Sequence, residues 1–217
     1  MRKPDISPKH RIAIICEGYE EETYIRTLLK LNVWNRYDFK VINAKGASNI
    51  SARFQSELNA DACEAILIFC DTDRHPHQQF RLLLDRLHDI LGRQADLFSF
   101  IIYANPCTMQ IVLLHFGSEP VLLKTQSKHI NAPIIFSLTG VRDYKANQHE
   151  HIEAICRQIS RSNYQLMKER ASALAGAYTA PGCTNFSTFL EALESSQPTW
   201  LKKIRQQLSG ARPGRNG

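Results

Sequence analysis

Apolar residues in the first half of the chain come in two patterns. Arg11–Cys16 reads RIAIIC and Ala65–Cys70 reads AILIFC, unbroken runs that stop at Glu17-Gly18 and at Asp71-Thr72-Asp73. Runs of this length are the mark of strands buried on both faces. Two further strands are expected, Phe39–Ile42 ending near Lys45-Gly46, and Phe98–Tyr103 closed by Asn105-Pro106. The intervening segments repeat apolar residues at helical spacing. After the acidic turn Glu20-Glu21-Glu22 come Tyr24, Ile25, Leu28, Leu29 and Leu31; then Ile50, Phe54 and Leu58; then Phe80, Leu83, Leu84, Leu87 and Leu91 within Gln78–Leu91. Cys107–Phe116 reads as a buried helix. Strand and helix in alternation predict an α/β fold: a parallel sheet of about four strands with helices on both faces.

Beyond Gly117 the alternation stops. Gly140–Tyr144 reads as a loop, residues 147–174 as largely helical, and Asn185 as the cap of a helix carrying Phe189, Leu190 and Leu193. The expected organisation is a core over 1–117, a helical extension packed on it over 118–208, and a disordered tail over 209–217.

Composition narrows the function classes. The 217 residues hold 27 Lys and Arg against 21 Asp and Glu, a formal charge of +6 that suits an anionic partner without demanding one. No apolar run reaches membrane-spanning length, and the basic residues at the N-terminus precede no apolar stretch. Cys16, Cys63, Cys70, Cys107, Cys156 and Cys183 form no C-x-x-C pair. They read as small core side chains in a reducing compartment, so the cytoplasm is the expected location. The P-loop pattern is absent, which excludes ATP hydrolysis by that route.

Ligands of open parallel sheets bind at the carboxyl ends of the strands. Glu17 follows the first strand, and Asp71 and Asp73 follow the third. If those strands are neighbours, three carboxylates converge and repel one another unless a cation neutralises them. An all-oxygen set favours Mg²⁺ or Mn²⁺, which activates water and offsets charge on a phosphate. Glu21 reads either as a further acid of such a site or as a solvated acid of a first helical turn. Lys45 and Lys145 read either as cations that hold a phosphate or as exposed loop lysines. His75 and His77 are ligands or a polar rim, while His149 and His151 face apart on a helix and make no metal pair. His115 within an apolar run reads as a hydrogen-bonded core histidine.

The segments IICEGYEEETY and IFCDTD resemble the two acidic motifs of the Toprim domain, the Rossmann-like fold of topoisomerases, primases and OLD nucleases. The nearer resemblance, over most of the chain, is to the RloB-like branch. Glu17, Gly18, Glu21 and Tyr24 match its first motif, with Glu20 in place of Thr, and Asp71 and Asp73 match its second. Ala104–Cys107 with Leu113–Phe116, Tyr144-Lys145 and Thr184–Phe186 match later elements. The resemblance implies a metal-dependent nuclease of a bacterial defence locus, often encoded beside an ABC-type ATPase. It implies metal-ligating Glu17, Asp71 and Asp73, with Glu21 as a further acid of the metal site, and it adds weight to Lys145 as a phosphate-binding residue. The family's next Glu falls on Met109 and its Trp on Ile111. Hence the rival expectation: a catalytically impaired subunit that only binds nucleic acid or an ATPase. On this reading Met109→Glu restores a missing acid.

Overall fold

The computed structural model describes residues 9–72, 75–123 and 125–211. The two unbroken apolar runs form β1 (His10–Cys16) and β3 (Ala65–Asp71). They are parallel neighbours, with Ile12–Cys16 in register with Ala65–Phe69. No residue of Ile12–Cys16 or Ala65–Cys70 is more than 1% exposed, which is why neither run alternates. β2 (Tyr37–Asn43) borders β1 and β4 (Ile101–Ala104) borders β3, giving the parallel order β2-β1-β3-β4 among the described residues.

Right-handed crossovers in this order place α1 (Tyr19–Lys30) on one face of the sheet and α2 (Ile50–Ala60) and α3 (Gln78–Leu91) on the other. Aromatic contacts anchor both faces. Tyr24 of α1 meets Phe69 of β3 at 6.3 Å between ring centres, and Phe54 of α2 meets Phe100 edge-on at 6.0 Å.

The α/β reading holds, and its boundaries shift for local reasons. β4 begins at Ile101, not Phe98, because Leu97–Ser99 is a 3₁₀ turn closed by Ser99 Oγ on the Asp96 carbonyl at 2.7 Å. Phe98 is 42% exposed there. The expected helix over 107–116 shortens to α4 (Met109–Val112), which runs into a 3₁₀ turn over Leu113–His115. An unforeseen helix, α5 (Lys128–Thr139), carries Pro133 within it. The helical stretch over 147–174 divides into α6 (His149–Cys156) and α7 (Arg161–Ala173). The break is at Ser160, whose N–H donates to Asn163 Oδ1 at 2.7 Å while its hydroxyl accepts from Asn163 N–H. α8 (Phe186–Glu194) and α9 (Thr199–Ala211) are the last elements among the described residues. α9 buries Leu201, Ile204 and Leu208 and continues through Ser209–Ala211, the start of the segment expected to be a tail; residues 212–217 lie outside the described ones.

The second half is tied into the first by its buried residues and by polar contacts. Phe186 of α8 stacks on Phe69 at 6.0 Å, and residues of α7, α8 and α9 belong to the same buried cluster as the strands. Arg170 of α7 donates to the carbonyls of Leu114, Phe116 and Gly117 at 2.6–2.9 Å, satisfying the acceptors left where the 3₁₀ turn ends. Asn185 does not cap α8 with its side chain. Its amide pairs with β4 instead, donating to the Ile101 carbonyl at 2.7 Å and accepting from the Tyr103 N–H at 2.9 Å. Thr184 Oγ1 donates to the Tyr103 carbonyl, and Asn105 N–H donates to the Cys183 carbonyl. No helix among the described residues is long and apolar enough to cross a membrane.

His115 is the core histidine expected. It is 2% exposed and shares a 2.9 Å hydrogen bond between its Nε2 and the Tyr24 hydroxyl. Burial pushes its pKa down to about 4. Between that value and the unfolded pKa of about 6.5, the unfolded chain binds the extra proton, so folding loses stability as pH falls. From pH 7 to pH 5 this group costs about 2 kcal/mol. Urea denaturation at both values should show the loss, and His115→Gln should remove that part of the pH dependence.

Candidate functional site

The chain leaves β1 toward β2 on one side and returns past it to β3, so the strand order reverses between β1 and β3. Their carboxyl ends therefore border the crevice where parallel sheets bind ligands. Glu17 is the first residue beyond β1 and Asp71 the last of β3. The Glu17 N–H donates to the Phe69 carbonyl at 2.9 Å, and Glu17 Oε2 accepts from the Asp71 N–H at 3.1 Å. The Glu17 carboxylate is thus held on the backbone of Asp71, which brings the two strand ends together.

β4 supplies a third group. In the turn that follows it, buried Thr108 donates its N–H and its hydroxyl to Asp71 Oδ1, at 2.6 and 2.9 Å. Two donors on one oxygen fix the carboxylate's orientation. Glu21, one turn into α1, is 4% exposed and not solvated. Its Oε2 accepts from the Gly18 N–H at 2.8 Å, and it lies within hydrogen-bond reach of Thr108. Burial, with the charge of neighbouring Glu20, raises its pKa above the ordinary carboxylate value. Glu20 is itself buried and accepts from the Tyr144 hydroxyl. Burial and that carboxylate hold the Tyr144 phenol well above its usual pKa, which keeps it a donor.

Of the remaining predicted residues, Asp73 lies outside the described ones. Lys45 is exposed on the loop after β2 in a left-handed conformation, φ 61°, with its N–H on Asn43 Oδ1 at 2.8 Å. The next residue, Gly46, donates its N–H to the Glu17 carbonyl at 2.8 Å, so Lys45 sits at the acids' edge of the sheet. Lys145 is exposed and lines a different cavity, of about 610 Å³, with His129, Asp143 and Asn147. Its link to the acids runs through Tyr144 and Glu20. His77 is buried, with Nδ1 2.8 Å from the Thr72 carbonyl, and His149 stacks on Tyr19 at 3.6 Å.

Met109, at the position of the resembled family's acid, is fully buried among core residues. Gln110 beside it turns the other way and secures the following loop, accepting from the Leu123 N–H at 2.7 Å and donating to the Val121 carbonyl. Among the described residues no group of three or more His, Cys, Asp or Glu is arranged to hold a metal ion. Glu17 and Asp71 supply oxygens of the kind hard divalent cations take, and a cation near Glu20 and Glu21 would relieve the cost of burying adjacent acids. Sequence reasoning missed Thr108 and Tyr144 as partners of these acids. The signal for Thr108 is its place just past a strand end at the same edge.

Glu17 opens onto a cleft of about 440 Å³ between the loop after β2 and α3, lined also by Gly46, Ser48, Gln79, Leu82 and Arg86.

No protein-family model and no curated protein matches the chain. Among solved structures, it is similar to the C-terminal region of the Burkholderia pseudomallei OLD protein over 92% of this chain and 97% of that one, at 12% identity and a TM-score of 0.36. A likeness that slight carries no argument about chemistry, which rests on the residues above.

Proposed function

We propose that this chain is a divalent-metal-dependent phosphodiesterase acting on nucleic acid. One observation carries the reading: the Glu17 carboxylate accepts from the backbone N–H of Asp71, on the neighbouring strand, at the point where the strand order reverses. Glu17 and Asp71, with Asp73 two residues on, would hold Mg²⁺ or Mn²⁺. When bound, such an ion acidifies water and offsets charge on a phosphate. Thr108 holds Asp71 in place, and the Gly18 N–H does the same for Glu21. Lys45 stands at the same edge and is the lysine better placed to meet a phosphate; Lys145 faces another cavity.

A second reading is favoured by buried Met109: a subunit that keeps the fold, binds nucleic acid or an ABC-type ATPase, and performs no hydrolysis. Incubation with supercoiled plasmid, single-stranded DNA and tRNA, each with Mg²⁺, Mn²⁺ or EDTA, separates the two. Metal-dependent cleavage of any substrate supports the enzyme. Binding without cleavage under every condition leaves the subunit.

A further inference from the structure

We infer that Arg86 and Leu82 of α3 form a substrate subsite beside Glu17 that takes a phosphate and the adjoining sugar or base of a nucleic-acid strand. The inference rests on the proposed nucleic-acid reading and names where the strand lies. Arg86 lines the cleft onto which Glu17 opens, whereas neither Lys45 nor Lys145 lines it. Its guanidinium is held by one hydrogen bond, Nη1–H to the Ser48 carbonyl at 3.2 Å. It has no carboxylate partner among the described residues. A guanidinium carries five N–H donors in a planar fork suited to phosphate oxygens, so one anchoring bond leaves most of the fork for a ligand.

One turn earlier on the same helix, Leu82 is 48% exposed on the wall of this cleft. A surface leucine needs no explanation alone. Here it adjoins an unpaired cation and a candidate metal acid, and Gln79 and Ser48 add hydrogen-bonding side chains. Apolar surface beside a cation and an amide offers a nucleotide unit van der Waals contact for its sugar or base, a charge for its phosphate and hydrogen bonds for its polar edges. Gly46 on the opposite wall has no atom beyond its chain neighbours within 4 Å of where a Cβ would lie, so no side chain crowds the cleft at that point.

The test uses the full chain and a fluorescein-labelled 20-nucleotide single strand, with its duplex in parallel, read by anisotropy in EDTA across a salt series. Arg86→Ala should weaken binding about tenfold and make the plot of log affinity against log salt shallower by about 0.7 for the single strand, one phosphate contact's worth. Arg86→Lys should lie between, and Leu82→Ser should weaken binding without changing the slope. Arg93→Ala, at an exposed residue beyond the end of α3, should match the wild type. If the wild type cleaves, Arg86→Ala should raise KM and leave kcat in place. Affinity and slope unchanged in Arg86→Ala, or no binding of either probe by the wild type, overturns the subsite. If binding is lost in the variant while the wild type never cleaves, the subsite stands and the nuclease reading falls.

Discussion

Asp71→Asn should reduce metal-dependent cleavage by about a thousandfold, the scale lost when a group that stabilises transition-state charge is removed. The substitution keeps the shape of the side chain. Its remaining oxygen can still accept from the Thr108 N–H and hydroxyl, so the turn after β4 stays docked. What disappears is one negative charge beside Glu17 and near buried Glu21. In EDTA the melting temperature should therefore stay the same or rise, because carboxylate repulsion falls. In the wild type, Mn²⁺ should raise it by mass action, and in the variant it should not. Full activity in Asp71→Asn would remove Asp71 from the chemistry. A melting temperature indifferent to Mn²⁺ in the wild type would remove the metal from this edge of the sheet.

The largest expected effect on stability is at Met109. The resemblance makes Met109→Glu a repair; the structure makes it an injury. Met109 is fully buried in the cluster that includes the strands, so a glutamate there would be a charge without water. Such a group costs about 3–5 kcal/mol, or takes up a proton and loses part of that cost as pH falls. Met109→Leu, of similar volume, should cost less than about 1.5 kcal/mol. Chemical denaturation at pH 7 compares the two. A Met109→Glu protein as stable as the wild type would mean that this turn can swing outward to present the acid.

The parts of the fold that sequence reveals are those whose burial is uniform. β1 and β3 announce themselves because both faces are covered, and the stops of their apolar runs mark Glu17 and Asp71 as strand-end residues. β4 is harder. Phe98 looks like a strand residue yet lies on a 3₁₀ turn, where its ring sits 5.9 Å from both Tyr103 and Tyr178. α5 escapes notice because Pro133 interrupts its pattern and its apolar residues, exposed Ile130 and Phe136 among them, do not keep to one side. The helix start at Asn185 is legible, but not that its side chain serves β4 rather than its own helix. At the site, pattern leaves Glu21 open between solvent and pocket, because three acids in a first turn look alike. Only the approach of Thr108 to Glu21 and of Tyr144 to Glu20, from 87 and 124 positions along the chain, separates buried Glu20 and Glu21 from partly exposed Glu22.

β4 ends the sheet, and on its outer side Cys183, Thr184 and Asn185 supply by side chain and backbone the hydrogen bonds that another strand would make. An edge left open is a template on which other chains can pair. Asn185 lies 82 positions after Tyr103, whose N–H it accepts. At ~5–20 residues per second, the ribosome needs about 4–16 s to supply it. For that interval the nascent chain holds all four strands and an unguarded border. Order of synthesis thus makes the emerging protein most vulnerable to its neighbours on the polysome just after its sheet becomes possible, and the helical second half arrives as the shield.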